Sequence, residues 1–184
     1  EVEIRDVWKN FLQRVGHAEP SSDELLSSIA LRFELSVNPV WPMAGMVQLL
    51  DDLRDRFAPF SIVSNAQFFT PLLFPALIGR SLPELGFEDS LCIWSYQLRE
   101  AKPSPRLFEA LLERLGPEYK PQEILYVGND MLNDVSAAQK AGLKTALFAG
   151  DKRSLRLRHD HVDCRGIQPD LVLTNLANLP TLLS

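Results

Sequence analysis

The spacing of hydrophobic residues changes near residue 41 of this chain. Before that point, apolar residues return every three or four positions, which is the spacing of a helix with one buried face. The pattern predicts a first helix over residues 7–15 and a second helix with its apolar face over residues 25–33. Ser21 or Ser22 can cap the second helix, because a serine hydroxyl accepts a hydrogen bond from a backbone N–H of the first turn. The chain is therefore predicted to open with a helical hairpin.

From residue 41 onward, helical stripes alternate with short apolar runs, a pattern typical of parallel βαβ units. The runs predict five strands, at residues 60–63, 91–94, 124–127, 145–148 and 171–173. The stripes predict helices at residues 49–57, 68–78, 104–115, 133–141 and 176–183. The third of these helices has the clearest start, since Ser104 fits an N-cap and Pro105 fits the first helical position.

These elements predict an α/β fold: a Rossmann-like three-layer α/β/α parallel sheet with a small helical cap segment at the N-terminus. Residues 1–40 form part of the predicted helical cap, and residues 41–184 form the predicted core. A chain of 184 residues with 46% hydrophobic content can bury the core of one such domain.

Composition and charge narrow the classes of partner. The formal net charge of -5 at pH 7 disfavours a nucleic-acid binder, whose contact surface normally carries an excess of Lys and Arg. No apolar stretch reaches the roughly 18 residues that a membrane-spanning helix needs. Two cysteines, Cys92 and Cys164, are too few for a disulfide framework, so a reducing compartment is the simpler expectation. We predict a cytoplasmic protein, a monomer or a homodimer, that binds neither nucleic acid nor a membrane.

Polar side chains follow three of the predicted strands. They are Ser64 and Asn65 after the first strand, Lys102 after the second, and Asn129, Asp130 and Asp134 after the third. In open parallel sheets, ligands bind where loops leave the carboxyl ends of the strands, so we expect these side chains to lie together. A hydroxyl and an amide beside a helix start suit a phosphate oxygen, a lysine can neutralise it, and paired carboxylates suit Mg²⁺.

Each of these features also has a simpler interpretation. Ser64 and Asn65 are favoured in ordinary turns and helix caps, and Lys102 alone is typical of a surface lysine. The two acids can cap a helix without binding metal. The basic run at residues 152–159 can reach a phosphate, but a short charged run is more typical of a solvated loop, and we predict a surface position for it.

The order of the motifs carries more information than each motif alone. Ser-Asn, then Lys-Pro, then Gly-Asn-Asp-x-x-Asn-Asp resembles motifs II, III and IV of the haloacid dehalogenase (HAD) superfamily of phosphohydrolases. The resemblance covers about residues 41–184, and the front helices resemble the small helical cap of the haloacid-dehalogenase-like subfamily. It implies that Ser64 and Asn65 hold the transferring phosphoryl group, that Lys102 steadies this group and the nucleophile, and that Asp130 and Asp134 hold Mg²⁺.

Two departures from the family pattern matter. The acidic motif usually begins Gly-Asp, whereas Asn129 follows Gly128 in this chain, so either Asn129 or Asp130 can accompany Asp134 at the metal. In addition, the chain contains no Asp-x-Asp pair, which in the family lies on the first strand and supplies the nucleophile. We therefore predict that the core lacks this first strand, whose place is between the strands at residues 60–63 and 124–127.

The resemblance implies a function for the complete protein. It predicts Mg²⁺-dependent hydrolysis of a small phosphorylated metabolite, a phosphate monoester, through an aspartyl-phosphate intermediate. These 184 residues are expected to be inactive alone, because they carry no Asp-x-Asp nucleophile. Two alternatives stay open: a hydrolase of the 2-haloacid dehalogenase type, which needs no metal, and a non-catalytic HAD-like binding protein.

Overall fold

Parallel strands and helices alternate through most of the chain, as the sequence pattern predicts. The computed structural model describes residues 1–17, 22–57 and 59–183. The strands are β1 (Phe60–Ser64), β2 (Phe87–Trp94), β3 (Leu125–Gly128), β4 (Lys144–Phe148) and β5 (Leu171–Leu173). The helices are α1 (Ile4–Arg14), α2 (Asp23–Val37), α3 (Met46–Arg54), α4 (Leu73–Ile78), α5 (Ser95–Leu98), α6 (Arg106–Leu115), α7 (Ala137–Lys140) and α8 (Leu179–Leu182). The predicted α/β class is confirmed.

The first two helices form the predicted hairpin. Trp8 of α1 packs edge-on against Phe33 of α2, with ring centroids 5.3 Å apart. The Ser22 hydroxyl accepts a hydrogen bond from the Leu25 N–H at 3.2 Å and caps α2, whereas Ser21 lies outside the described residues. The boundary of the cap at residue 40 stays a prediction.

The five strands form two parallel sheets. One sheet pairs β1 with β2, and the other has the order β3-β4-β5. Within the described ranges, β1 and β3 share no ladder. Instead, the Tyr126 hydroxyl donates to the Val63 carbonyl oxygen at 2.8 Å, and the Lys102 ammonium donates to the same oxygen at 3.0 Å. Side chains thus satisfy a backbone acceptor at the edge of β1, and a further strand between the two sheets stays a prediction.

Helix α6 anchors the core beneath the site. Its residues Leu107, Phe108 and Leu111 are almost fully buried and pack with Val63 and Ile93 of the first sheet. Burial of each such side chain stabilises the fold by about 1.5–3 kcal/mol. The helix begins at Arg106, two residues after the predicted N-cap, although the Ser104 hydroxyl still accepts a hydrogen bond from the Arg106 N–H at 3.3 Å.

The predicted helix after β3 begins in a different way. Residues Met131–Ser136 form a π-helical turn, and regular α-helix follows only in α7. π-Helical turns are rare and occur frequently at functional sites. Among the described helices, none has the length and apolar character that crossing a membrane requires.

Candidate active site

Lys102 is the central cation of the site. Its side chain is buried, and its ammonium donates to Asp134 Oδ1 at 2.7 Å, to the Tyr126 hydroxyl at 2.6 Å and to the Val63 carbonyl oxygen at 3.0 Å. An ammonium has three N–H donors, so all three are used. The lysine lies in the loop after β2 and α5, and it reaches across to the second sheet.

Asp134 lies in the π-helical turn and is as buried as its partner. Its Oδ2 accepts hydrogen bonds from the backbone N–H groups of Asn129 and Asp130, each at 2.9 Å. Gly128 allows this arrangement, since a Cβ at that position would lie closer than 3.0 Å to the Asp134 side chain. Both carboxylate oxygens are therefore held, one by Lys102 and one by the turn.

Tyr126 completes the contact between the sheets. Burial raises the pKa of this phenol well above its ordinary value, and the neighbouring charge and hydrogen bonding of Asp134 raise it further. The phenol therefore keeps its proton and can donate it to Val63 O at 2.8 Å or to Asp134 Oδ1 at 3.2 Å. Phe108 packs edge-on against the ring at 4.9 Å and fixes its position. The sequence pattern indicates residue 126 only as part of an apolar strand.

Asn65 faces the Lys102 backbone. Its side-chain amide donates to the Lys102 carbonyl oxygen at 3.0 Å, and its Oδ1 accepts from the Lys102 N–H at 2.8 Å. This reciprocal pair gives Asn65 a positioning role toward Lys102, while its predicted contact with phosphate stays a prediction. Ser64 ends β1 and lines the same pocket, with its hydroxyl 3.5 Å from the Asn65 carbonyl oxygen.

Asp130 lies next to Asp134 in the turn but has different partners. It caps the π-helical turn, accepting from the Leu132 N–H at 2.9 Å and the Asn133 N–H at 3.2 Å. Its Oδ2 also accepts from Arg158 Nη2 at 2.7 Å. Burial raises the pKa of this carboxyl, but the hydrogen bonds from Arg158 and the turn outweigh that effect and leave the pKa below its ordinary value. Asp130 is therefore an ionised cap held by an arginine.

The basic run lies mostly at the surface, as predicted, but it also contacts the site, which the sequence interpretation did not predict. Arg156 pairs with the acidic turn through its backbone: its N–H donates to Asn129 O at 2.9 Å, and its carbonyl accepts from Met131 N–H at 2.8 Å. The Asn129 amide donates to Ser154 O at 2.7 Å. The loop between β4 and β5 thus becomes one wall of the site, a result of contacts some 25 residues apart that no local pattern signals.

All six predicted site residues line one polar pocket of about 390 Å³. The structure brings together the predicted Ser64, Asn65, Lys102, Asn129, Asp130 and Asp134, and it adds Asn133, Ser154, Arg156 and Arg158. Three cationic side chains and two carboxylates give the lining a surplus of one positive charge. Polar groups at the carboxyl ends of parallel strands form the usual ligand position of such folds, and the charge favours an anion.

The predicted Mg²⁺ ligands can be compared with what this ion needs. Mg²⁺ takes oxygen ligands in octahedral geometry, usually including one or two carboxylates. The carboxylate of Asp134 is paired with Lys102 and that of Asp130 with Arg158, so of the three predicted ligands only Asn129 has a side-chain oxygen that accepts no hydrogen bond from the described residues. No group of three His, Cys, Asp or Glu side chains that could hold a metal occurs in ranges 1–17, 22–57 and 59–183. The residues that the structure describes do not by themselves fit the ion.

Comparison with known proteins agrees with the geometry. Residues 100–179 match a family model described as HAD-hydrolase-like. The Rhythmically expressed gene 2 protein of Drosophila melanogaster is 32% identical over 111 residues, covering 58% of this chain and 40% of that protein. The phospholysine phosphohistidine inorganic pyrophosphate phosphatase of Xenopus laevis is 36% identical over 66 residues, covering 35% of this chain and 24% of that protein. The chain thus spans less than half the length of these curated relatives.

Solved structures share the fold at low identity. A 2-haloacid dehalogenase from Pseudomonas syringae pv. Tomato DC3000 superposes with a TM-score of 0.69 at 19% identity, over 98% of this chain and 69% of that one. A magnesium-bound protein from Bacillus subtilis, YfnB, gives 0.64 at 20% identity, over 98% and 71%. A HAD phosphatase from Thermococcus onnurineus gives 0.61 at 21% identity, over 95% and 70%. The match over residues 100–179 and the shared fold confirm the resemblance to the haloacid dehalogenase superfamily.

Proposed function

We propose that the protein containing this chain hydrolyses a small phosphorylated metabolite, a phosphate monoester. One observation carries the proposal: Ser64, Lys102 and the Asp134 turn, which follow three different strands, meet at one polar pocket with surplus positive charge. A phosphate monoester is a dianion near neutral pH, so such a pocket suits it. The phosphatases among the similar proteins support the proposal.

The chain's own residues have distinct parts in this reaction. Ser64 donates its hydroxyl hydrogen to a phosphoryl oxygen at the end of β1. Lys102, fixed by Asn65, Asp134 and Tyr126, places a positive charge in a partly dry environment, where it acts more strongly on the charge of the transferring group than it would in water. The turn holds this ammonium in place during the reaction.

The phosphoryl transfer itself needs a nucleophile. In the proposed aspartyl-phosphate route, a carboxylate oxygen bonds to phosphorus as the P–O ester bond breaks, and the leaving oxygen takes a proton from a general acid. Water then attacks the acyl phosphate, which releases inorganic phosphate and restores the carboxylate. The carboxylate is proposed to lie outside these 184 residues, since the sequence contains no Asp-x-Asp pair. Mg²⁺ dependence is proposed only for a protein in which further oxygen ligands face the pocket, with the magnesium-bound Bacillus subtilis neighbour as support.

A second candidate activity is hydrolysis of a 2-haloacid, in which a carboxylate displaces halide to form an ester and water then cleaves the ester to give the 2-hydroxy acid. The pairing of Asp134 with Lys102 and of Asp130 with Arg158 favours it, because both acids of the turn are then neutralised without a metal. The dehalogenase neighbours share the fold. Halide release that is indifferent to a chelator, with no phosphatase activity, would favour this candidate.

The decisive experiment is an activity screen of the complete protein. A panel of small phosphate monoesters is tested with Mg²⁺ and with a chelator, and the Asp134→Asn variant is compared with the unchanged protein. We expect turnover that falls at least about 100-fold in the variant, the size of loss typical for a group that supports transition-state charge. Asp160→Asn, an exposed acid of the neighbouring loop, is the matched control and should keep full activity.

Two outcomes contradict the proposal. If no monoester is hydrolysed under either condition while phosphate still binds, the non-catalytic binding protein becomes the better description. If Asp134→Asn and Asp160→Asn hydrolyse a monoester equally well, the acidic turn has no part in the reaction.

A further inference from the structure

Arg156 differs from the other cations of the pocket. Lys102 is neutralised by Asp134 and Arg158 by Asp130, at 2.7 Å in both ion pairs. Arg156 lines the same pocket, and no carboxylate of the described residues lies within 4.0 Å of its guanidinium. The surplus positive charge of the pocket is therefore the charge of this one side chain.

Arg156 is exposed, and its guanidinium is hydrogen-bonded to its own loop. Its Nη1 donates to the carbonyl oxygens of Arg153 at 2.7 Å and Leu155 at 3.0 Å. The backbone of the same residue is bonded on both sides to the acidic turn, and Leu155 packs on the buried cluster that contains Met131. Arg156 is thus already ordered before a ligand binds, which lowers the entropy cost of binding.

The remaining donors of Arg156 are free for a ligand. Nε and Nη2 donate to none of the residues that the structure describes. A guanidinium presents its donors in a planar fork that matches a carboxylate or a phosphate, and such charge-assisted bonds are among the stronger hydrogen bonds. A phosphate monoester without another charge is placed at Ser64 and near the Lys102 ammonium, and it leaves this fork without a partner.

We infer that Arg156 binds a second anionic group of the substrate. The substrate class is then a small phosphate monoester that carries a carboxylate or a second phosphate on its leaving group. This inference rests on the proposed function, since it places Arg156 at the part of the same pocket that binds the leaving group. Arg156 acts as a specificity residue, and Arg158 stays engaged with Asp130.

Phosphonates test the inference because they bind without being hydrolysed. The complete protein is titrated calorimetrically, at fixed ionic strength, with ethylphosphonate, which has one anionic group, and with phosphonoacetate and methylenediphosphonate, which have two. We expect at least one of the doubly anionic ligands to bind about tenfold more tightly than ethylphosphonate, as one charge-assisted pair provides. Which of the two binds more tightly distinguishes a carboxylate from a second phosphate.

Matched variants assign the preference to one side chain. Arg156→Gln should reduce the preference to less than about twofold, because the doubly anionic ligands lose a charge-assisted pair whereas ethylphosphonate loses only the weaker attraction of a more distant charge. Circular dichroism checks that the variant is folded. Arg153→Gln removes an arginine of the same loop that is 95% exposed, and it should keep the full preference. Arg156→Lys should keep only part of it, since an ammonium lacks the fork.

The possible failures are distinguishable. If ethylphosphonate binds but the doubly anionic ligands bind no better, or if Arg156→Gln keeps the preference, the inference is overturned and the proposed function stands. If no phosphonate binds and inorganic phosphate does not bind either, the proposed phosphate pocket fails, and the inference fails with it.

Discussion

Lys102 and Asp134 form a buried ion pair that joins the two sheets. The Lys102 Nζ lies 2.7 Å from Asp134 Oδ1, and the two side chains are only 6% and 9% exposed. Lys102 follows β2 of the first sheet, whereas Asp134 follows β3 of the second. Because water screens such a pair little, each buried charge is stabilised mainly by the other. The same contact links the two sheets on either side of the pocket.

Removing one partner of this pair should destabilise the protein strongly. We expect Lys102→Met to lower the free energy of unfolding by about 3–5 kcal/mol, because it leaves the buried carboxylate of Asp134 without a counter-charge. Urea denaturation monitored by circular dichroism measures the change. Lys152→Met, at an exposed lysine, should stay within about 0.5 kcal/mol of the unchanged protein.

A double variant separates the charge effect from lost packing. Lys102→Met combined with Asp134→Asn should be more stable than Lys102→Met alone, because a neutral amide replaces the unpaired carboxylate while still accepting from the turn. Additive losses from the two substitutions would show that the two groups are energetically independent despite their short distance.

The parts of the site that follow strands could be predicted from the sequence. Ser64, Lys102 and Asp134 each come soon after an apolar run, and the carboxyl ends of parallel strands share one edge of a sheet. The alternation of strand and helix was enough to predict the α/β class. The order of strands, helices and polar residues along the chain was therefore enough to predict the fold class and the site residues after β1, β2 and β3.

The remaining parts depend on contacts that local patterns do not encode. Arg156 and Arg158 reach the acidic turn across 25 to 28 residues, through a loop without apolar periodicity, so their charges predicted only a solvated segment. The role of Tyr126 could not be predicted from its position in an apolar strand, because its hydroxyl bonds to the other sheet. Asn65 has the residue type of a ligand-binding amide, and only its geometry shows that it holds the Lys102 backbone.

Asn65 should affect binding through Lys102. Asn65→Ala removes both hydrogen bonds to the Lys102 backbone, and we expect a loss of about 1–3 kcal/mol in stability together with weaker phosphate binding. Asn65→Asp keeps the acceptor for the Lys102 N–H but puts an anion against the Lys102 carbonyl oxygen, so it should recover at most part of the loss. Thermal unfolding and calorimetric titration with inorganic phosphate measure both effects. Wild-type phosphate affinity in Asn65→Ala would refute the positioning role.

Gly128 should tolerate no side chain. In Gly128→Ala, the new Cβ overlaps the Asp134 side chain, so the turn must move and the Lys102 pair must lengthen. We expect a loss of about 1–3 kcal/mol, the usual cost of overpacking a buried site, and reduced phosphate affinity. Gly16→Ala is the comparison, because its Cβ would meet nothing within 4 Å and only its positive φ costs stability. Denaturation and phosphate titration of both variants decide whether the close approach matters.

Asp170 should make stability depend on pH at the far end of the second sheet. A hydrogen bond from Lys144, followed by bonds from the Thr145 N–H and hydroxyl, lowers the pKa of Asp170 to about 2. A carboxyl whose folded pKa is below its unfolded value of about 3.9 stabilises the fold above that value, and the stabilisation is lost as pH falls toward 2. Asp170→Asn should therefore cost roughly 1 kcal/mol at pH 7, discounted for solvent exposure, and progressively less below pH 4. Thermal unfolding from pH 7 to pH 2 tests this, with Asp160→Asn as control; a constant difference at every pH would contradict the assignment.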